Sequence, residues 1–333
     1  MKIKWALLSL VCLSALLLTY AMTPKYPNRP VVFVIPFSAG NAGDIFTRQY
    51  AGIVSKHFGQ SIQCINMSGK HTSEAVAYVY EQQPDGYTVI LVTPSLLISE
   101  LRILRQIEQT KARGSIPLIT DAIIFRNEFE PLLRVQADIQ LFGVSPNGRF
   151  ESIDEILSYA KEHPGEITIG GISPMGLDEY LAKGFAKAAG IELTYIPYAS
   201  SEQALEALLD GSLDVYQDKM IRFLPLSQSG RVKPVVVLHD EQVNVQGLKD
   251  CPASAKIGIP FTHGSWRGFA VKKGTPQEIK DKLILALKEA YKDPEYTALS
   301  EKYLTNIRTG YLEADTWRSE WDQEYETLAE VFK

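Results

Sequence analysis

The stretch VVFVIPFSAGNAGDIFTR, residues 31–48, predicts a strand, a short loop that contains glycine, and the start of a helix. Val31–Ile35 contains no polar side chain, as expected for a strand that is buried on both faces of a sheet. The helix that follows places Phe46, Tyr50 and Ile53 at helical spacing, and Gly59 ends it. A buried strand that leads into an amphipathic helix is the basic unit of an α/β fold.

The same alternation continues along the chain. A strand over Ile62–Ile65 is followed by a helix over Ser73–Glu81 and a strand over Tyr87–Val92. Residues 97–134 are harder to interpret, with a charged helix-like stretch, ELRILRQIEQTKARG, and then mixed apolar segments. Regular alternation resumes with the strand Ile139–Val144. The sequence therefore predicts a layered α/β fold in which strands and helices alternate.

Several helix starts in the second half carry capping signals. Ser152 and Glu155 form a capping box, Ser201 is placed to cap the next helix, and Thr275 is placed as the N-cap of a later one. The last helix carries an apolar stripe that includes Trp317, which we interpret as a packing face.

The N-terminus has the order of a secretory signal peptide, predicted over residues 1–21. Lys2 and Lys4 precede an apolar run over Trp5–Leu18, which ends before small residues at the possible cleavage point. An uncleaved membrane anchor is the alternative, although the run is shorter than the ~20 residues that span a bilayer. We therefore expect an exported, periplasmic protein.

Composition limits the function classes. Without the signal peptide about 310 residues remain, more than one core usually covers, so two lobes are expected. A net charge of -5 and the absence of a basic run give no support to nucleic-acid binding. An oxidising compartment would permit a disulfide between Cys64 and Cys251, but the sequence does not establish that pairing.

The loop after the first strand is a candidate anion site. Phe37–Gly43 lies where unpaired backbone amides and the positive end of a helix dipole favour a carboxylate or a phosphate. Its glycines fit neither the dinucleotide fingerprint nor the lysine-ended phosphate loop. An ordinary turn between strand and helix is the alternative interpretation.

Three further loops follow strands and carry hydroxyl groups. They are Thr93–Ser95, the GISPMG segment at 171–176 with Ser173, and the PYASSEQ segment at 197–203. In open α/β sheets ligands gather at the carboxyl ends of the strands. Together the four loops predict a polar cleft that is lined by hydroxyls and amides.

Charged residues near these loops allow two interpretations each. Asp44 either caps the helix or contacts the ligand, and Asp218 either faces the cleft or is a solvated loop carboxylate. Arg267 is near a predicted crossing between lobes, and its neighbour Trp266 either covers a ligand or packs in the core.

Enzyme chemistry has weak support in the sequence. Ser173 faintly resembles a serine nucleophile elbow, but the glycine spacing is wrong, Pro174 follows it, and none of the five histidines has a recognisable triad setting. No His, Cys or carboxylate cluster has metal-ligand spacing, and no cofactor is predicted.

Most of the chain after Tyr26 resembles a known receptor family. The segments that carry the resemblance are YPNRPVVFVIPFSAGNAGDIFTR, PDGYTVILVTPS, GIELTYIPYASSEQALEALLDGSLDVYQD and GFAVKKGTPQEIKDKLILALKEAYKDPEY. They resemble the substrate-binding receptors of tripartite tricarboxylate transporters, also called Bug receptors. The chain differs from the family pattern at Gly40–Gly43, where the usual run of glycines is replaced, and in the NMSGKHTSEA segment at 66–75, which has fewer small residues.

The resemblance implies a two-lobed fold of the type II periplasmic-binding-protein class that closes on a small carboxylate. Lobe 1 would comprise 29–137 plus 245–333, and lobe 2 would comprise 138–244. The ligand contacts implied by position are Phe37, Ser38, Ala39, Gly40, Asn41, Asp44, Thr93, Ser95, Ser173, Pro174, Met175, Tyr198, Ser200, Ser201 and Asp218.

A receptor that captures a small organic acid and delivers it to membrane subunits of a tripartite transporter is therefore expected, as a monomer. A sensor that reports the ligand to a signalling partner is the alternative binding role, and a serine hydrolase is a third reading.

Overall fold

A computed structural model describes residues 25–69, 72–113, 123–172 and 174–333. The predicted signal peptide and Ser173 lie outside these ranges. Within the described ranges, no helix combines the length and the apolar character needed to cross a membrane.

Strands and helices alternate as the sequence predicts. The strands are β1 Val31–Ile35, β2 Ile62–Asn66, β3 Thr88–Val92, β4 Phe129–Ala137, β5 Gln140–Val144, β6 Thr168–Ile172, β7 Thr194–Tyr198, β8 Val215–Lys219, β9 Lys233–Val237, β10 Trp266–Lys272 and β11 Tyr311–Glu313. The helices are α1 Ala42–Phe58, α2 Ser73–Glu81, α3 Pro94–Ala112, α4 Phe125–Glu128, α5 Ile153–Glu162, α6 Leu177–Ala189, α7 Ser201–Asp210, α8 Met220–Gln228, α9 Gln277–Lys292, α10 Pro294–Lys302 and α11 Ala314–Val331.

The described strands form two sheets. The first has the order β11-β4-β10-β3-β1-β2 and the second has the order β7-β6-β8-β5-β9. In the first sheet β1 pairs in parallel with β2 and β3, whereas β10 runs antiparallel to β3 and β4. In the second sheet β6 is parallel to β7 and β8, and β5 is antiparallel to β8 and β9. The predicted α/β class is confirmed.

Strand β1 is buried on both faces because its side chains alternate between two cores. Val31, Phe33 and Ile35 belong to one hydrophobic cluster, and Val34 belongs to another. Helix α1 covers the first of these faces with Tyr50 and other apolar residues. The fully apolar composition of β1 follows from this position, since neither face of the strand is open to water.

Two predicted helix caps shift by one residue. Ser200, rather than Ser201, has the extended backbone of an N-cap, and its hydroxyl accepts a hydrogen bond from the Gln203 amide at 3.3 Å. Helix α9 begins at Gln277 after Pro276, because the Thr275 hydroxyl donates back to the Lys272 carbonyl at 2.7 Å instead of accepting from the helix. The capping box at Ser152 is confirmed, with a 3.2 Å hydrogen bond from the Glu155 amide.

The region that is harder to interpret from the sequence contains a long helix. In α3 the buried residues, among them Leu97 and Leu101, lie in the first half, and the second half is mostly polar. Arg105 from that second half donates to the carbonyls of Ala329 and Phe332 at the end of α11. Because the apolar residues stop halfway along the helix, the helical repeat of apolar residues is hard to recognise in the sequence.

The two sheets are joined where β4 leads into β5 and where the chain returns to β10. The Asp138 amide donates to the Ser265 carbonyl at 2.7 Å, so the two crossing segments run side by side. The Asp138 carboxylate accepts from Lys219 at 3.0 Å and from Arg267 at 3.1 Å. Burial would raise the pKa of Asp138, but the two cations outweigh burial and hold it below its usual value.

Arg267 and Trp266 are both buried at this crossing. Arg267 is engaged by Asp138, and the Trp266 ring nitrogen donates to the Glu324 carboxylate at 2.7 Å. Of the two interpretations of Trp266, packing in the core is the one that the structure shows.

Cys64 and Cys251 are free. Cys64 lies on β2 of the first sheet, whereas Cys251 packs with Val243 and Leu248 against the second sheet. The disulfide that the sequence left open is not formed.

Candidate functional site

A cavity of about 490 Å³ lies between the two sheets, at the carboxyl ends of β1, β3 and β6. Its first-sheet side is formed by Pro36, Phe37, Ser38, Asn41, Ser68, Thr72, Ser95, Ile98, Ser99 and Arg102, and its second-sheet side by Ile172, Met175, Gly176, Leu177 and Asp178. We call this space the cleft cavity. The carboxyl ends of strands from both halves meet here, which is where ligands bind in open α/β folds.

The loop between β1 and α1 supplies Phe37, Ser38 and Asn41 to the cleft cavity. The Asn41 side chain caps α1 by accepting from the Gly43 amide at 2.8 Å. Gly40 adopts a left-handed φ of 81°, a conformation that glycine tolerates and that turns the chain into the helix. Ala39 and Gly40 are exposed and are not part of the cavity lining.

Asp44 holds this loop in place from below. Its carboxylate accepts from the Gly40 amide at 2.9 Å, from Asn66 at 2.9 Å and from Arg48 at 2.7 Å. Burial would raise its pKa, but the hydrogen bonds from Gly40, Asn66 and Arg48 outweigh burial and lower it. Asp44 is buried and does not line the cleft cavity. Of the two predicted roles, ligand contact and binding of backbone amides at the helix start, the structure shows the second, through the Gly40 amide.

Two threonine hydroxyls near the cleft cavity are buried without a hydrogen-bond partner among the described residues. Thr72 lines the cavity, and Thr93 lies at the start of α3, just behind Ser95. An unsatisfied buried hydroxyl costs free energy, and a ligand or a water molecule at this place would satisfy it.

The second-sheet side of the cleft cavity carries two carboxyl groups at the start of α6. Asp178 accepts from the Ile172 amide at 2.7 Å, and Glu179 accepts from the Met175 amide at 2.5 Å. Burial and the nearby Asp218 carboxylate raise the pKa of Asp178 to about 6, against the lowering effect of the Ile172 amide.

The predicted contacts from the second half are only partly brought to the cleft cavity. Met175 lines it, and the exposed Pro174 offers its carbonyl to Arg102 at 3.3 Å. Ser173 lies outside the described residues.

The other four predicted contacts of the second half are not among the residues that line the cleft cavity, and their role as ligand contacts stays a prediction. Tyr198 packs against the hydrophobic cluster around β8, Ser200 caps α7, and Ser201 is buried in its first turn. Asp218 accepts from the Tyr216 hydroxyl at 2.6 Å and pairs with Arg222 at 3.1 Å. The carboxyl ends of β7 and β8 lie beside that of β6, because both strands pair with β6 in parallel, but these four side chains are engaged in contacts within their own half.

Sequence reasoning missed Ser99, Arg102 and Asp178. Ser95, Ser99 and Arg102 are spaced at i, i+4 and i+7 on α3, which is the spacing of one helix face. Recognition of the helix over 94–112 would have placed Ser99 and Arg102 beside the predicted Ser95. The sequence indicates Asp178 less clearly, because its one distinguishing feature is that it is an acidic residue in the first turn of a helix that follows a strand and a loop.

A larger cavity, of about 900 Å³, lies at the crossing between the sheets. Its lining includes Arg134, His263, Arg308, Glu320 and Glu324. Burial lowers the pKa of His263 to about 4 and raises the pKa of Glu324 to about 7. It lies beside the crossing strands instead of at the strand ends, so we take the smaller cleft cavity as the candidate ligand site.

Comparison with known proteins gives a consistent assignment. The family model described as tripartite tricarboxylate transporter family receptor matches residues 46–310. A protein encoded in the TAR-I ttuE-ttuC′ intergenic region of Agrobacterium vitis is 26% identical over 293 residues, which cover 84% of this chain and 78% of that protein. The protein BugT of Bordetella pertussis is 24% identical over 257 residues, which cover 76% of this chain and 74% of BugT.

Solved structures share the fold. A TctC solute binding protein from Polaromonas, without ligand, matches with a TM-score of 0.75 at 22% identity, over 92% of this chain and 99% of that one. MatC from Rhodopseudomonas palustris with bound malate matches with a TM-score of 0.67 at 22% identity, over 92% and 100% of the two chains. An R. palustris protein with adipate matches with a TM-score of 0.63 at 23% identity, over 92% and 98%. The predicted two-lobed periplasmic-binding-protein fold is confirmed.

Proposed function

Because the chain belongs to the tripartite tricarboxylate transporter receptor family, we propose that it captures a small organic acid in the cleft cavity and delivers it to the membrane subunits of a tripartite transporter. The observation that carries this proposal is a cavity lined from both sheets by hydroxyls, helix starts and one guanidinium. Two structural relatives hold the acids malate and adipate, which supports an organic acid as the ligand class.

We propose that the protein captures its ligand by closing two lobes about a hinge. We propose a first lobe built on the first sheet and a second lobe built on the second, joined at Asp138 and at about Ser265. The return crossing is placed later than residue 245 because Val243 and Cys251 pack against the second sheet. A ligand that touches both lobes stabilises the closed form, and the ligand-free protein favours opening.

We further propose an exported, monomeric binding protein without a cofactor and without catalytic activity. The family is one of solute receptors, which supports a binding role without catalysis. Across the part of the chain that the structure describes, no group of three or more His, Cys, Asp or Glu side chains could hold a metal ion.

A thermal-shift screen of the chain from residue 25 onwards tests the receptor function. The compounds are mono-, di- and tricarboxylates, amino acids, and neutral amides of the same carbon skeletons. A ligand at a hundred times its dissociation constant stabilises the native state by about 2.7 kcal/mol, which shifts the melting temperature measurably. We expect at least one compound with a carboxylate to stabilise the protein and its neutral amide to have no effect.

Ser38→Asp places a negative charge on the first-lobe side of the cleft cavity and is expected to abolish the shift by repelling the ligand carboxylate. Ser158→Asp, on the exposed face of α5, is the matched control and should leave the shift unchanged. A protein that responds to no carboxylate, or whose response survives Ser38→Asp, does not use this cavity as an acid receptor.

A further inference from the structure

We propose that the ligand is a zwitterionic acid of the amino-acid type, whose carboxylate faces Arg102 on the first lobe and whose ammonium group faces Asp178 on the second. This inference rests on the proposed receptor function and names the ligand class of the same cavity. Its basis is an unequal distribution of charge between the two sides of the cleft cavity.

The second-lobe side of the cleft cavity carries a carboxyl group of its own, Asp178, at the start of α6. The start of a helix normally presents free amides to an anion. In the segment just before α6, however, the Ile172 amide donates to Asp178 and the Met175 amide donates to Glu179, so both carboxyl groups are held at this helix start. Glu179 pairs with Lys183 at 2.6 Å and does not line the cavity, whereas Asp178 does, so a ligand carboxylate placed against Asp178 would meet a like charge.

Asp178 has one oxygen left for a ligand. Oδ2 accepts from Ile172, and Oδ1 has no hydrogen bond to any described residue, while Asp178 is among the residues that line the cleft cavity. A carboxylate oxygen accepts hydrogen bonds only, so it favours an ammonium group or a hydroxyl over a second carboxylate.

A buried amide without a hydrogen-bond partner among the described residues lies next to Asp178. A Cβ on Gly171 would lie 2.5 Å from the Asp178 Cβ and 3.0 Å from the Gln217 nitrogen, so these groups surround the same point of β6. Both polar atoms of the Gln217 amide are buried without a partner among the described residues. The atom that lies near this point is the Gln217 nitrogen, so the amide has a donor, as well as an acceptor, without a partner close to Asp178.

The first-lobe side has the opposite character. Arg102 lies on the cavity-facing side of α3 together with Ser95 and Ser99, and it reaches across to the Pro174 carbonyl of the second lobe. The hydroxyl of Thr72, which has no partner among the described residues, adds a neutral donor on this side. A guanidinium with neighbouring hydroxyls is suited to a carboxylate.

The sign of the pH dependence separates the two ligand types. The groups that face Asp178 are Tyr216, Asp218 and Lys219 on β8 and Tyr195 on β7, and the pKa of Asp178 is raised to about 6, mainly by burial. An ammonium ligand stabilises the ionised carboxylate, so its affinity falls as the pH drops below about 6. A dicarboxylate placed there requires the protonated carboxyl, so its affinity would rise over the same range.

Titration calorimetry between pH 5 and pH 8 tests the inference with pairs of acids that differ only by the amino group. The pairs are aspartate and succinate, glutamate and glutarate, and alanine and propionate. We expect one amino member to bind at least tenfold more tightly than its partner, and its affinity to fall towards pH 5. Asp178→Asn should weaken that compound at least tenfold and remove the pH dependence, whereas Asp154→Asn, an exposed carboxyl in the first turn of α5, should have no effect.

The inference is overturned if the acid without the amino group binds more tightly in every pair, or if the Asp178→Asn variant binds the amino acid more tightly than the wild type does. Either result leaves the receptor function standing. Arg102→Gln should weaken both members of a pair, because both carry the carboxylate. The wild-type pH profile decides the question even if Asp178→Asn fails to fold. The receptor function itself fails only if no carboxylate of the wider screen binds.

Discussion

Glu324 shows how one residue in this protein can oppose folding as the pH rises. Its carboxyl group is buried beside the crossing between the sheets, where Oε2 accepts from Trp266 and Oε1 has no hydrogen-bond partner among the described residues. Burial raises its pKa to about 7, and Glu320 adds to the effect, against the lowering influence of Trp266, Arg134 and Arg308. The neutral form is therefore the one that suits the folded state.

Glu324→Gln is expected to stabilise the protein at pH 8 and to have little effect at pH 5. Because the pKa is higher in the folded than in the unfolded chain, the folded state loses stability as the pH rises from about 4.5 to about 7. The glutamine keeps an acceptor for Trp266 and has no charge to bury. Urea unfolding at the two pH values measures the difference.

The matched control is Glu326→Gln, an exposed position of the same helix α11, which should leave stability unchanged at both pH values. An effect of Glu324→Gln that is equal at pH 5 and pH 8 would show that the carboxyl is not the titrating group.

At the scale of single elements, the helix starts depend on local hydrogen bonds that the sequence encodes directly. In α5 the Ser152 hydroxyl accepts from the Glu155 amide, and the Glu155 carboxylate accepts from the Glu151 amide at 2.7 Å. These partners are at most four residues apart, so no tertiary contact is needed to form them.

Ser152→Ala is expected to lower the free energy of unfolding by about 1 kcal/mol, because one amide at the start of α5 loses its acceptor. Chemical denaturation followed by circular dichroism measures the loss. Ser158→Ala, on the exposed face of the same helix, has the same change in chemistry without a cap and should be neutral within a few tenths of a kcal/mol. If both variants lose the same amount, the cap at Ser152 does not stabilise the protein.

At the scale of the whole molecule, the two lobes keep the two described cysteines apart. Cys64 belongs to the first sheet and Cys251 packs against the second. Burial raises the pKa of the Cys251 thiol to about 12, and it also raises the pKa of Cys64. Both thiols are therefore poor nucleophiles in the folded protein.

Thiol titration of the chain from residue 25 onwards, purified without reductant, is expected to find two thiols per chain in denaturant. In the native protein Cys251 should react far more slowly, because it is buried and its thiolate is disfavoured. Cys251→Ser should therefore remove the slow phase and leave Cys64. A value near zero in denaturant would mean that a disulfide forms in spite of the separation.

The sequence by itself determined the features that depend on neighbours along the chain. The alternation of strands and helices, the double burial of β1 and the capping box at Ser152 all follow from local spacing and hydrogen bonding. The two caps that shifted by one residue, at Ser201 and Thr275, show the limit of this reading. Ser200 and Ser201 are neighbouring hydroxyls that could cap the same helix, and the backbone conformation selects Ser200. The Thr275 hydroxyl instead donates to the Lys272 carbonyl, and the helix begins one residue later.

Only the tertiary structure decided which loops meet in the cleft cavity. The ends of β1, β3 and β6 converge there, whereas Tyr198 and Asp218 at the ends of β7 and β8 are held in contacts within their own lobe. Arg102 and Asp178 oppose each other across the cavity although they are far apart in sequence. Their meeting depends on the strand order and on the placement of one lobe against the other, which no local spacing encodes.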